Sequence, residues 1–286
     1  MSAPPQRGPK FPLRLDQLKP VSKRVATAAV AVPSPSAPPV AGSSQRASTG
    51  VRPTAGPRGR TSASGLGLDS ADVRRQMVQR LRAAGLSSTA VLDALAAVPR
   101  HQFVDAGLAT QAYEDTSLPI GHGQTISKPS VVARMIELLM SGANAQRKGG
   151  LGKVLEIGTG CGYQAAVLSL LAQSVISVER LKPLHDKARE LLGPLRSSKL
   201  RLVYGDGMFG HPPNAPYDSI IAAAGGDALP AAWLDQLALG GRLVSPVVQA
   251  ESGQQMLVVV DRTERGCEQR VHETVNFVPL KSGLIG

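Results

Sequence analysis

The chain predicts a doubly wound α/β fold, a three-layer sandwich around a mainly parallel sheet, and three observations carry that reading. A short apolar run, Lys153 to Ile157, leads straight into Gly158-Thr159-Gly160-Cys161-Gly162. From there to about residue 247, strand-length and helix-length apolar segments alternate. The last apolar runs, Met256 to Val260 and Val271 to Val278, have no helix between them, so an antiparallel pair is expected at one edge.

Taken in order, the chain begins with sequence that does not suit a core. Residues 1–68 hold ten Lys/Arg against one acid, a charge of +9, with 11 of the 22 prolines and Phe11 as their one aromatic residue. Such composition buries too little apolar surface to offset the entropy of ordering, and predicts a disordered basic Pro/Ser/Ala-rich extension. The other 218 residues carry 22 basic and 20 acidic side chains, so the overall +11 is no signature of the folded part. No dedicated nucleic-acid partner is expected from it. Prolines and arginines interrupt the N-terminus where a signal peptide would be apolar, and no run reaches the ~18 apolar residues of a membrane span. A cytoplasmic location without membrane contact is the expectation. Cys161 and Cys267 and five scattered histidines have no metal-ligand spacing, so neither a structural metal nor a disulfide is expected.

Residues 69–286 read as one domain, whose first part, 69–150, is helical. Asp69 or Ser70 is placed to cap a helix with Val73, Met77, Leu81 and Ala84 on one face, ended by Gly85. Ser87 or Ser88 starts a second, with Val91, Leu92, Leu95 and Val98 inward and Pro99 as the stop. Pro129 suits the first turn of a third, rich in apolar residues from Val131 to Leu139. Between the second and third lies 118–129, Leu-Pro-Ile-Gly-His-Gly-Gln-Thr-Ile-Ser-Lys-Pro, which its glycines and prolines predict to be a loop. Residues 142–150 read as a polar break. Then follow strand 153–157, helix 163–171, strand 174–178, helix 183–192, strands 200–204 and 217–222, helix 230–237 and strand 242–247.

Ligands of such sheets bind beyond the carboxyl ends of the strands, where strand order reverses. Three acids fall there: Glu156 at the first strand's end, Glu179 at the second's, and Asp206 just after the third. Glu179, 23 residues beyond Glu156, suits a ribose diol, and Asp206 suits an adenine amino group. The glycines Gly158, Gly160 and Gly162 allow close approach of a ligand to backbone. Their G-x-G-x-G spacing puts Tyr163 where the dinucleotide fingerprint needs glycine, and no Lys-Ser/Thr pair follows as in a phosphate loop. An acid just ahead of the loop disfavours phosphate and suits a cationic nucleoside, S-adenosyl-L-methionine.

These features resemble the first motif of the seven-stranded Rossmann-like methyltransferases over about residues 150–250. With Val98-Pro-Arg-His-Gln-Phe-Val104, Ala112-Tyr-Glu-Asp115, the 118–129 segment, Asp206-Gly207, Gly240-Gly-Arg-Leu-Val244 and Phe277-Val-Pro-Leu280, the chain resembles the protein-L-isoaspartate(D-aspartate) O-methyltransferase family over residues 70–286. The resemblance implies Ser127 in the catalytic site and Gln124, Thr125, Glu156, Glu179, Asp206 and Gly207 around the cofactor. It implies a repair enzyme for isoaspartyl-containing proteins and peptides; a monomer is the expectation for its assembly. Ala222 to Asp227, Lys128 and Ser130 depart from the family's common residues, so the rim of the peptide site is left open; the resemblance implies a place for Lys281 near the acceptor carboxylate, against which a surface lysine is the preferred reading, and His122 and Cys161 are read as packing or solvent-facing residues. Two alternatives share most features: a methyltransferase acting on RNA or a small molecule, and a non-catalytic nucleoside-binding protein.

Overall fold

The β-branched and leucine-rich runs of the second half pair into one sheet in the computed structural model, which describes residues 71–195 and 197–286 and the backbone of Lys19–Pro20. The two proposed caps of the first helix, Asp69 and Ser70, and the rest of the basic extension lie outside the described residues. Lys19–Pro20 (β1) pairs parallel with Arg270 and Val271 at the outer edge of the sheet.

The helical part comes first. Helix α1 (Ala71–Ala83) buries Met77 and Leu81 and ends at Gly85, whose φ of +98° lets Leu86 N–H reach back to Leu81 O. Helix α2 (Thr89–Ala97) buries Val91, Leu92, Ala94 and Leu95. Its start is capped from another helix: Glu137 Oε1 accepts from the backbone N–H groups of Ser87 and Ser88 and from the Ser87 hydroxyl. Partial burial opposes the Glu137 charge, yet these bonds and Arg134 hold its pKa below the usual carboxylate range.

Residues 118–126, expected as loop, form a hairpin. β2 (Leu118–Gly121) and β3 (Gln124–Ile126) pair antiparallel, with Leu118, Ile120 and Ile126 buried. His122 and Gly123 both take positive φ at its tip, the geometry that matches hairpin twist. Alternation of Leu118 and Ile120 with turn-forming neighbours was the signal, masked by Pro119, Gly121 and Gly123. Helix α3 (Pro129–Met140) has proline in its first turn. A second correction follows: residues 142–150 contain helix α4 (Ala143–Lys148), closed by Gly149 in the left-handed region and anchored by buried Asn144, which donates to Asp218. Only tertiary contact makes so polar a turn helical.

The strands are β4 (Lys153–Ile157), β5 (Ser174–Glu179), β6 (Leu200–Tyr204), β7 (Tyr217–Ala222), β8 (Leu237–Val248), β9 (Gln255–Thr263) and β10 (Gly266–Val275). Their order is β6-β5-β4-β7-β8-β9-β10, with β1 beyond β10. All pairs from β6 to β8 are parallel, and β9 and β10 run antiparallel. The seven-stranded, mainly parallel sheet with its antiparallel edge is therefore as the sequence predicts, with β8 and β10 longer or displaced relative to the apolar runs that announce them.

Side-chain alternation divides two cores. Val154, Val175, Ile221 and Val244 face a layer containing α1, α2, α3, α5 (Tyr163–Leu171) and α6 (Lys182–Leu192). Leu155, Ile176, Ile220 and Leu243 face the opposite layer, built on Trp233 and Leu234 of α7 (Ala231–Asp235). Strand order reverses between β4 and β7, so the crevice opens beyond their carboxyl ends.

Candidate active site

At that point lies a cavity of about 370 Å³, the size of a small-ligand site. Four parts do most to wall it: the loop after β4, the hairpin with Ser127, the end of β5 with Arg180 and Leu181, and the segment Val278 to Lys281. Each reaches it for a local reason.

The loop after β4 turns sharply because its glycines take positive φ, and Gly162, at +91°, leaves no room for a side chain: a Cβ there would sit 2.7 Å from Leu192 Cδ1. Glu179, at the end of β5 and 5 % exposed, fixes this loop by accepting from Gly160 N–H through Oε2 and from Leu181 N–H through Oε1, each at 2.9 Å. Gly207 is set from the far layer, where Trp233 Nε1 donates to its carbonyl at 2.7 Å. Val278 and Leu280 are held by backbone bonds to Gly225, in the segment after β7.

Of the residues assigned from sequence, Ser127, Gln124, Thr125, Gly158, Gly160, Glu179 and Gly207 line the cavity. Glu156, Gly162 and Asp206 do not. Glu156 is not the last residue of β4 but its fourth, and its side chain points with Val154 into the helical layer, where it is fully buried. Its Oε2 accepts from the Ser177 hydroxyl at 2.5 Å, Ser177 in turn contacts Thr159 Oγ1 at 2.6 Å, and Oε1 has no partner. Burial, offset only in part by Ser177 and Gln164, raises its pKa to about 8. Asp206 caps the turn after β6, accepting from Met208 N–H, and takes bonds from the Ser282 hydroxyl and Gly283 N–H. Burial opposes its charge, but these bonds hold its pKa low.

The last residues thus strap across the rim. Arg180 Nε donates to Gly283 O, and Ile285 exchanges backbone bonds with Arg180 and Lys182. Ser130, left open from sequence, is a structural residue here: its N–H and hydroxyl bind Asp115 at the start of α3. Lys281, read as a surface residue, is exposed yet stands at the cavity, as do His122 and buried Cys161. Both cysteines are free thiols, and among the described residues no cluster of His, Cys, Asp or Glu is placed to hold a metal. Arg180, Leu181 and Ile285 were not foreseen, because nothing in a C-terminal Ser-Gly-Leu-Ile-Gly announces where it lands.

The side chain of Ser127 is open for chemistry in a limited sense: its hydroxyl enters none of the hydrogen bonds among the described residues, whereas its carbonyl is held by Arg100 Nη2 at 2.7 Å. A glycine-paved cradle and a carboxylate at the second strand's end fit the ribose and the amino-acid end of S-adenosyl-L-methionine. The N–H groups of Gly158, Thr159, Gly160 and Gly162 are already bonded within the protein, to Val178 O, Glu179 Oε2 and Thr159 O, and so are not offered to a pyrophosphate.

This fold and cavity are those of a class I, S-adenosylmethionine-dependent methyltransferase. Residues 72–284 match the family model of protein-L-isoaspartate(D-aspartate) O-methyltransferase. Protein-L-isoaspartate O-methyltransferases of Methylibium petroleiphilum and Leptothrix cholodnii are 57 % and 59 % identical to this chain, over 99 % of it and 99 % and 96 % of their own lengths. A solved protein-L-isoaspartate O-methyltransferase superposes with a TM-score of 0.66 at 27 % identity, covering 74 % of this chain and 67 % of its own. One from Plasmodium falciparum, in complex with S-adenosyl-L-homocysteine, superposes at 0.60 and 23 % identity over 73 % of this chain and 98 % of its own, a likeness of fold. The chain belongs to the protein-L-isoaspartate(D-aspartate) O-methyltransferase family.

Proposed function

We propose that Ser127 orients the free α-carboxylate of an L-isoaspartyl residue in this enzyme, while the loop after β4 and the end of β5 hold the cofactor. The carrying observation is a single cavity that joins the unengaged Ser127 hydroxyl to the glycine loop and Glu179. S-adenosyl-L-methionine, when bound, supplies a methyl group made electrophilic by its sulfonium. Gln124, Thr125, Gly158, Gly160, Glu179 and Gly207 line its share of the cavity; Gly162 shapes the loop, Glu156 braces it through Ser177 and Thr159, and Asp206 sets the turn bearing Gly207.

The chain's own contribution is alignment. An isoaspartyl linkage leaves an α-carboxylate whose pKa, near ~3.5, keeps it ionised at neutral pH, so no general base is needed. Ser127 donates to one carboxylate oxygen and leaves the other free to attack. Ile120, Ile126, Val132 and Leu280 keep the surroundings apolar and dry, which preserves the nucleophile's reactivity. The neighbouring backbone nitrogen attacks the methyl ester so formed, its N–H proton leaving with the methoxy group as methanol, to give a succinimide; hydrolysis of that ring returns some normal aspartyl linkage, so repair accumulates over cycles.

With this goes a methyltransferase domain at 69–286, preceded by a basic extension, and a monomeric protein of the cytoplasm. Among the described residues no helix is long and apolar enough to cross a membrane. The near-neutral domain favours damaged proteins and peptides over nucleic acid as partners. The test is transfer of labelled methyl to an isoaspartyl peptide beside its aspartyl twin. Selective labelling of the first is expected; equal labelling, or none, overturns the substrate assignment.

A further inference from the structure

Among the described residues, Arg100 is the one buried lysine or arginine. It begins a short 3-10 turn (Arg100–Phe103) and is completely buried. Its Nε donates to Ala112 O and its Nη2 to Ser127 O, both at 2.7 Å. Its guanidinium carbon lies 4.8 Å from the centre of the Tyr163 ring, the first residue of α5 after the glycine loop. Arg100 Nη1 and the Tyr163 hydroxyl are buried without a hydrogen-bond partner. Asp115 attracts it only through space, and none of the ion pairs among the described residues includes it.

A buried cation without a paired carboxylate is costly, and the two carbonyl bonds and the aromatic face offset that cost only in part. Arginine suits the place because one planar fork reaches two carbonyls and stacks on a ring at once. Two of its three contacts, Ser127 and Tyr163, line the cavity, as does Cys161. Arg100 itself does not, so whatever it does to substrate passes through these neighbours.

We infer that Arg100 is a positioning residue for methyl transfer: it locks Ser127 at a fixed separation from the glycine loop and lends positive charge to the end of the cavity that takes the acceptor carboxylate. The inference rests on the role of Ser127 proposed above. A main-chain anchor at Ser127 matters because the hairpin passes into α3 there, and a hydroxyl carried by an unanchored junction would sample orientations that do not bind the carboxylate. A shift of about 1 Å in such a group is enough for a loss near 100-fold.

The experiment compares wild type, Ser127→Ala, Arg100→Lys and the double variant. Thermal midpoint, calorimetric affinity for S-adenosyl-L-homocysteine, and kcat and KM for an isoaspartyl peptide are read for each. Arg100→Lys keeps the charge but cannot grip both carbonyls; kcat is expected to fall roughly 10- to 100-fold while cofactor affinity stays within about twofold. The double variant is expected to lose no more than Ser127→Ala alone, since a residue acting through that hydroxyl has nothing left to position. Independent, multiplicative losses, unchanged kcat in Arg100→Lys, or a matching fall in cofactor affinity would overturn the inference. A harmless Ser127→Ala would instead sink the reading of Ser127 itself. Arg100→Gln, neutral but able to donate to Ser127 O, serves if the lysine variant does not fold. Failure of both to fold also counts against the inference, because it makes the arginine a strut of the fold.

Discussion

Replacing Glu156 by glutamine separates stability from cofactor binding, and the structure supplies the sign. The carboxyl is fully buried with its pKa raised by burial from 4.5 to about 8. The unfolded chain releases this proton near its ordinary pKa while the folded protein keeps it, so folding loses stability as pH rises through that interval. The penalty is nil below the unfolded value, about 3 kcal/mol at pH 7 and about 5 kcal/mol above pH 8, at 1.36 kcal/mol per pKa unit. Glutamine keeps an acceptor for the Ser177 hydroxyl and never ionises. Glu156→Gln is therefore expected to raise the thermal midpoint of the ligand-free protein by roughly 6–12 °C at pH 7, with the gain gone near pH 4.5. At pH 7 the folded carboxyl is already mostly protonated, so the same change removes little charge from beneath the glycine loop, and calorimetric affinity for S-adenosyl-L-homocysteine should stay within about twofold. A midpoint that drops at pH 7, or a gain that does not depend on pH, would refute the reasoning.

Other perturbations test other parts of the account. Ser127→Ala should cut turnover by roughly 10- to 100-fold and leave cofactor affinity nearly intact, measured by steady-state kinetics and calorimetry. Gly162→Ala meets both a left-handed backbone and Leu192, and should cost about 1–3 kcal/mol in denaturant unfolding while weakening the cofactor site. Glu137→Ala strips three hydrogen bonds from the start of α2 and should cost about 1–2 kcal/mol with unchanged KM for peptide. Removing residues 1–68 should leave kcat and KM on an isoaspartyl peptide as they are; a fall in kcat would bring the extension into the site.

The α/β core was legible because period and punctuation agree. Tyr163–Leu171 and Lys153–Ile157 are bounded by glycines on the side where the chain turns, and the structure gives them those bounds. The hairpin at 118–126 was hidden, since proline and glycine in so short a pair speak for a loop while only buried Leu118, Ile120 and Ile126 speak for a strand. Helix α4 was hidden for the opposite reason: its stability comes from Asn144 and Asp218, 74 positions apart, and not from its own residues. At the site, residues carried on motifs lie around one cavity, but sequence adjacency does not tell which way a side chain points. Glu156 sits one residue from the loop and faces away from it, by the alternation of β4. Arg100 reads as one more surface-type charge until Ala112, Ser127 and Tyr163 are brought around it from three distant segments.

The account depends on Ser127 and the glycine loop sharing one bound pair of ligands. The most direct measurement is a crystal structure of the protein with S-adenosyl-L-homocysteine and an isoaspartyl peptide. It should show the Ser127 hydroxyl within hydrogen-bond reach, ~2.6–3.2 Å, of the peptide's free α-carboxylate, with that carboxylate facing the cofactor sulfur. A carboxylate seated away from Ser127, or a cofactor outside the cavity between Gly158 and Glu179, would contradict it.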